Sequence, residues 1–215
     1  MKLKDYDYEE DKFIEEIFKK RFSVRSYLDK NVEFDKIANM LEAARWAPSA
    51  GNLQEIKYII TEEKASRKKI SDACNQVWIS SAPVIITVVA DINKLRQYFS
   101  SRGENVYSYM DGAIVAEHLM LEATRLNLGT CLIGAFDEEV IKEVLSIPKT
   151  EAVIAIITVG YTNETERRVD RKNLNNKVFF EKYGSSIKNA DTAKGNIRII
   201  DRIKKGINSI NKKSK

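Results

Sequence analysis

Apolar residues recur at helical spacing over several stretches of the chain and gather into β-branched runs over others. Phe13, Ile14, Ile17 and Phe18 share one face of a helix predicted over about Glu10 to Lys20. Ile37, Met40, Leu41 and Ala44 form the apolar stripe of a second helix over Phe34 to Ala47. Ile56 to Thr61 reads as a strand, and Glu63 to Asn75 as a helix. Pro83 to Ala90 and Ala152 to Val159 are almost wholly apolar, which predicts strands buried on both faces. Between them lie a short helix or loop (Asp91 to Phe99), a short strand (Thr130 to Ile133) and a helix (Glu138 to Leu145). The longest periodic segment, Tyr109 to Leu126, is apolar on more than one face. It is therefore expected to be central, with Asn127 and Gly129 ending it.

Two helices precede the first strand, and helices then alternate with strands. This order predicts an α+β domain: a mixed sheet flanked by helices, with the long helix buried against it. The 215 residues suffice for one well-packed domain and are short for two. Residues 1–187 are taken as that domain and 188–215 as an extension. The extension holds nine Lys/Arg against two Asp/Glu, or +7, so the rest of the chain is about −2 of the total +5. Within it Ile200, Ile203, Ile207 and Ile210 fall on one helical face with Lys and Arg opposite. Docking on the protein's own surface is the favoured reading of this tail. Contact with an anionic membrane or a partner is the disfavoured one. The tail has no aromatic residue for base stacking, and no nucleic acid partner is expected.

Composition excludes several classes. Apolar residues make up 43% and charged residues 31%, as in soluble globular proteins. No apolar run approaches the roughly 20 residues that span a bilayer, and residues 1–6 lack a signal-type stretch, so a cytoplasmic protein is expected. The two cysteines, Cys74 and Cys131, cannot build a disulfide framework and are expected to be small buried residues. One histidine, His118, with no GxSxG elbow, argues against a zinc site and a Ser-His-Asp hydrolase. His118 is read as a packed or partly exposed helix residue.

Three stretches carry candidate chemistry. In an extended Arg21-Phe22-Ser23-Val24-Arg25, alternate side chains share a face. Two guanidinium forks then flank a hydroxyl, which suits a phosphate monoester. A solvated basic strand edge is the plain alternative. The loop Pro48-Ser49-Ala50-Gly51-Asn52-Leu53-Gln54 has small residues at its centre and amides beyond. It permits close backbone approach to a flat ring, although a helix stop and turn would look the same. Third, Asp111-Gly112-Ala113 opens the long helix, which leads to Leu132-Ile133-Gly134 and on to Ile156-Ile157-Thr158-Val159-Gly160-Tyr161.

In this order and separation, the three stretches resemble the FMN-dependent nitroreductase family over about residues 15 to 183. The resemblance implies that family's α+β fold and an intertwined homodimer with FMN at the interface. Arg21, Ser23 and Arg25, with the backbone at Phe22, would hold the phosphate and ribityl end. Pro48, Ser49, Ala50 and Asn52 would line the ring, partly from the partner subunit. Asn75 would lie on the ribityl or pyrimidine side, Leu132, Ile133 and Gly134 beside the ring with a backbone N–H toward N5, and Arg171 would complete the phosphate site. Asn75 could equally cap the helix before it, and Arg171 could be one solvated arginine in a charged run.

The activity implied is transfer of a hydride from NADH or NADPH through flavin N5 to a nitroaromatic, quinone or similar acceptor, by a ping-pong scheme without a catalytic side chain. A specialised relative (flavin fragmentation, reductive dehalogenation) and a flavin-binding module with a partner-binding or membrane-binding tail are the alternatives. The sequence departs from the family after Gln54, where Glu55-Ile56 replaces a common Pro-Trp. Glu55 is expected to face solvent. Tyr98, Phe99, Tyr107 and Tyr109 are the aromatics expected near a substrate, with ordinary packing as the alternative.

Overall fold

The computed structural model describes residues 8–165, 171–172, 177–179 and 182–184, with side chains from residue 13 onward. The chain divides into two compact units, 1–167 and 168–215. In the second, Arg171 is exposed, and the rings of Phe179 and Tyr183 lie 4.8 Å apart. The amphipathic segment expected at 197–210 lies outside the described residues.

The first unit contains helices α1 (Tyr8–Lys20) and α2 (Phe34–Arg45), strand β1 (Ile56–Thr61), α3 (Lys64–Ala73), β2 (Val84–Asp91) and α4 (Ile92–Arg102). It continues with α5 (Ser108–Arg125), β3 (Gly129–Ile133), α6 (Glu138–Leu145) and β4 (Glu151–Gly160). The sheet order is β1-β2-β4-β3. All three ladders are antiparallel. The parallel component expected of the sheet is a single bridge, Ser23 to Thr130, on the outer side of β3.

Strand alternation sorts the core into two layers. Val84, Ile86 and Val88 of β2, with Ala155, Ile157 and Val159 of β4, face Met40 of α2 and Val115 and Leu119 of α5. Ile85 and Val89, with Val153 and Ile156, face Ile70 of α3 and Ile141 of α6 on the other side. The central strands are apolar on both faces because both faces are covered.

Helix α5 buries Asp111, Val115, Leu119 and Ala123 at helical spacing. Gly112 lets it approach β4, since a Cβ there would sit 2.5 Å from Ile154 Cγ2. Its second apolar face begins with Tyr109 and Met110, both about half exposed, and α1 likewise exposes Phe13, Ile14 and Phe18. His118 is half-buried, with Nδ1 2.9 Å from the Ile114 carbonyl oxygen. Cys74 and Cys131 are both buried free thiols. Among the described residues no helix is long and apolar enough to cross a membrane.

Candidate functional site

The Arg-Ser-Arg stretch runs extended along edge strand β3. The Val24 N–H donates to the Thr130 carbonyl at 2.9 Å. Val24 is buried against Gly129, where a Cβ would lie 2.8 Å from Val24 Cγ2. Ser23 forms the parallel bridge to Thr130, and in this extended stretch Arg21, Ser23 and Arg25 are the residues that alternate with Phe22 and Val24. Burial pushes the Cys131 thiol up, whereas Arg25, the Ser23 hydroxyl and Arg21 each pull it down. The Arg25 guanidinium carbon also lies 5.9 Å from the centre of the Trp78 ring.

The turn after β3 is open. Leu132 is 42% exposed, and a Cβ built on Gly134 would meet nothing within 4 Å. Ile133 instead points into the core. The Asp137 N–H donates to the Ala73 carbonyl at 2.9 Å, so this turn is tied to the end of α3. Asn75 follows α3 with φ +51°, its N–H donating to the Asp72 carbonyl at 2.9 Å. The backbone role of Asn75 is thus the helix stop, and its side chain is exposed.

Helix α2 ends at Arg45, and Ala50–Asn52 then form a single 3₁₀ turn. Gly51, Asn52 and Gln54 all have φ between +54° and +57°. Three left-handed residues in four make a tight corner, which glycine and amide residues tolerate best. The Ser49 hydroxyl accepts from the Gln54 N–H at 3.0 Å, and the Ala50 N–H donates to both carboxylate oxygens of Asp111 at 3.1 and 3.0 Å. Asp111 is 5% exposed, and burial holds its carboxyl above the usual value while the Ala50 N–H pulls it back. This anchor was not foreseen. An acidic residue opening a helix is ordinary in sequence, and only its burial marks the role.

The Glu55 expectation fails. Glu55 is 7% exposed, and its carboxylate is paired with Lys94 of α4. Its carbonyl also accepts from the Asp91 N–H at 3.2 Å. A carboxylate one residue outside β1 looks solvent-facing in sequence, but α4 folds across this end of the sheet and covers it. The same segment brings Phe99 against the loop. A Cβ on Gly51 would lie 2.9 Å from Phe99 Cζ. Phe99 packs edge-on to Tyr107 at 5.1 Å and lies 6.5 Å from Tyr98.

Two further groups escaped the sequence reading. Glu164, beyond β4, accepts the Arg25 N–H at 3.3 and 3.4 Å. Trp78 of the 3₁₀ turn Val77–Ser81 underlies Arg25. No local sequence signal marks either, because both act only through the fold.

The predicted residues thus form two groups. Arg21, Phe22, Ser23 and Arg25 lie with Leu132, Ile133 and Gly134 on β3, and Asn75 follows the helix end tied to that turn. Pro48, Ser49, Ala50 and Asn52 lead into β1, the opposite edge strand. Arg171 belongs to the second unit. One edge offers a hydroxyl and two guanidinium groups for an anion, and the other offers a glycine-centred corner under an aromatic ring.

An α+β domain with guanidinium and hydroxyl groups on one sheet edge and a close-approach loop on the other has the chemistry to suit a ligand with an anionic end and a flat ring. Comparison with known proteins narrows that reading. The model of the nitroreductase family matches residues 18–82 and 73–161, and the chain belongs to this family. It is 30% identical over 163 residues to a Bacillus subtilis strain 168 protein named FMN reductase (NAD(P)H), covering 69% of this chain and 66% of that one. A nitroreductase family protein from Clostridium difficile 630 superposes with a TM-score of 0.69 at 33% identity, over 78% of this chain and 97% of that chain. An FMN-dependent nitroreductase from Clostridium difficile R20291 gives 0.67 at 28% identity, over 78% and 98%.

Proposed function

We propose that this protein is an FMN-dependent oxidoreductase that draws on NADH or NADPH and reduces a small acceptor such as a nitroaromatic or quinone. The observation that carries this reading is the extended Arg21–Arg25 stretch bonded alongside β3 through Ser23 and Val24, on the strand that leads into the unobstructed Gly134 turn. The donor set fits FMN. A phosphate monoester carries about two negative charges near pH 7, and two guanidinium forks with a hydroxyl match that charge and shape. The space beside Gly134 admits a flat ring against the backbone, with Leu132 as its exposed apolar neighbour.

When bound, FMN supplies the hydride and electron transfer, and the protein supplies position and field. Arg21, Ser23 and Arg25 would anchor the phosphate end. The backbone at Gly134 would lie along the ring, and the exposed Asn75 amide would face the ribityl or pyrimidine side. The Ala50–Asn52 corner, held by Asp111 at the other edge of the sheet, would cover the ring in the site of a second copy.

Because the two groups sit on opposite edges, a second copy of the chain completes each site. Uncovered apolar residues on α1 and at the start of α5 (Phe13, Ile14, Phe18, Tyr109 and Met110) support a homodimer. A ping-pong scheme follows if one pocket serves nicotinamide and acceptor in turn.

The test is purification with FMN and anaerobic titration with NADH and NADPH. The expected result is a yellow dimer whose flavin absorbance bleaches, with parallel-line kinetics against a quinone. Arg25→Gln should weaken FMN binding roughly tenfold, the scale of one lost charge-assisted contact. Protein that stays colourless after incubation with excess FMN would refute the reading.

A further inference from the structure

The end of the sheet where β1 begins carries a set of charges that the anchoring of the cofactor does not use. Glu55, at the exit of the Pro48–Gln54 loop, is buried and paired with Lys94, one turn into α4. Asp91 caps α4 by accepting the Lys94 N–H at 3.0 Å, and its carboxylate lies 3.5 Å from Lys57 Nζ of β1. Lys57 also bonds Glu151 of β4 at 2.6 Å. The base of α4 is therefore fastened to β1 and β4 through side chains, and to the loop exit through both the side chain and the carbonyl of Glu55.

The segment fastened there has an unusual backbone. Ser100 interrupts α4 with φ 52° and ψ −145°, a region that residues with a side chain occupy only when their surroundings impose it. Gly103 then opens a π turn, Gly103–Tyr107, and a Cβ on it would lie 2.1 Å from the Leu95 carbonyl oxygen. These two departures fold the arm back so that Phe99 meets Gly51, with Tyr107 edge-on behind it. The Arg102 Nε donates to the Tyr107 hydroxyl at 3.1 Å and tightens the arm. Tyr98 is left 60% exposed beside Phe99.

We propose that Glu55 and Lys94 are positioning residues that seat this aromatic arm on the Gly51 corner and so set the pocket in which the electron acceptor stacks. The proposal rests on the reading above, in which the loop covers the FMN ring. Loop and arm are joined besides by the Phe99–Gly51 contact and by the Asp91 N–H bond to the Glu55 carbonyl. The ion pair adds a side-chain tie to the backbone bond between Asp91 and Glu55, and a planar acceptor is held only if the spacing of loop and arm is kept. The charges do not touch the reacting atoms, and the cofactor's phosphate is held elsewhere.

Lys94→Met, Glu55→Gln and the reversed pair Glu55→Lys/Lys94→Glu test this in the full-length holoenzyme. Three readouts are needed: FMN affinity by fluorescence quenching, kcat and KM for NADH and for 1,4-benzoquinone, and amide hydrogen exchange along the chain. Each single variant should raise the quinone KM roughly tenfold, and the NADH KM with it because one pocket takes both in turn, with FMN affinity within about twofold. Exchange should quicken at residues 98–107 and stay unchanged in α5. The reversed pair should recover part of the quinone KM. A purely structural role would instead shift FMN affinity and exchange in α5 together with KM. That pattern, or a quinone KM and arm exchange equal to wild type in Lys94→Met, overturns the proposal. Wild-type protein that does not bind FMN overturns both this proposal and the reading beneath it.

Discussion

The Ala50 N–H points at the carboxylate of Asp111, 61 residues later, and donates to both of its oxygens at 3.1 and 3.0 Å. This bond holds the Ala50–Asn52 corner of the loop to the start of α5. Asp111→Ala removes the acceptor and leaves a part-buried N–H unpaired. The expected cost is about 1–3 kcal/mol of folding stability. Asn at the same position can still accept with its side-chain oxygen and should cost less. Urea unfolding of the two variants checks the order, and FMN affinity should fall in the same order. Equal stability of Asp111→Ala and wild type would show that the loop is held by other contacts.

Burial also gives Asp111 a pH signature. Its carboxyl is raised above the ordinary value of 3.8, chiefly by desolvation, with the Ala50 N–H opposing. An acid raised on folding binds its proton more tightly in the folded state. The stability it contributes is complete below pH 3.8 and is lost as pH rises through the raised folded value. Wild type should therefore lose stability relative to Asp111→Asn between about pH 4 and the folded pKa, and the difference should be flat above it. Paired urea melts from pH 3 to 7 measure this. A wild type that gains on the variant as pH rises would reverse the sign and show that the Ala50 bond dominates.

Two glycines separate packing from cofactor contact. Gly112 meets Ile154 so closely that an alanine Cβ would sit 2.5 Å from Cγ2, 3.0 Å from Cβ and 3.2 Å from Cγ1. Gly112→Ala must push α5 off β4 and should cost about 1–3 kcal/mol. Gly134→Ala adds its methyl group to open space and should leave the melting temperature within a degree or two of wild type. If the FMN ring lies against that turn, the same methyl group should cut FMN affinity. Thermal melts of the apo proteins and flavin titrations separate the two effects. An unaltered FMN affinity in Gly134→Ala would move the ring away from this turn.

The elements themselves were largely legible in the sequence, because their signals are local. β1 is observed over Ile56–Thr61 and α6 over Glu138–Leu145, as the apolar pattern predicts. The segment left between helix and loop at Asp91–Phe99 is helical to Arg102, and neither the kink at Ser100 nor the π turn at Gly103 has a periodic signature. Both arise from tertiary contact with Gly51 and Leu95. The site was legible as motifs but not as geometry. Arg21, Ser23 and Arg25 alternate with Phe22 and Val24 because strand alternation is a local rule. That this stretch and the Pro48–Asn52 loop lie on opposite sheet edges follows only from the strand order. Glu55 was misjudged for the same reason, since its burial depends on Lys94 in an element 39 residues away along the chain.

The two thiols give a last prediction, and it bears on the anion clamp. Burial raises the Cys74 thiol to about 11 and also pushes Cys131 upward, against the pull of Arg25, Ser23 and Arg21. At pH 8 a thiol of pKa 11 is thiolate to about one part in a thousand, and access is blocked as well. Folded protein should therefore resist iodoacetamide at both positions over hours and react at both within minutes in denaturant. Peptide mass mapping after timed alkylation distinguishes the sites. Of the two, Cys131 should react first as pH is raised, because neighbouring guanidinium groups stabilise its thiolate. Arg21→Gln or Arg25→Gln should remove that difference by withdrawing positive charge from the clamp. Unchanged Cys131 reactivity in both variants would mean that the guanidinium groups do not converge on it.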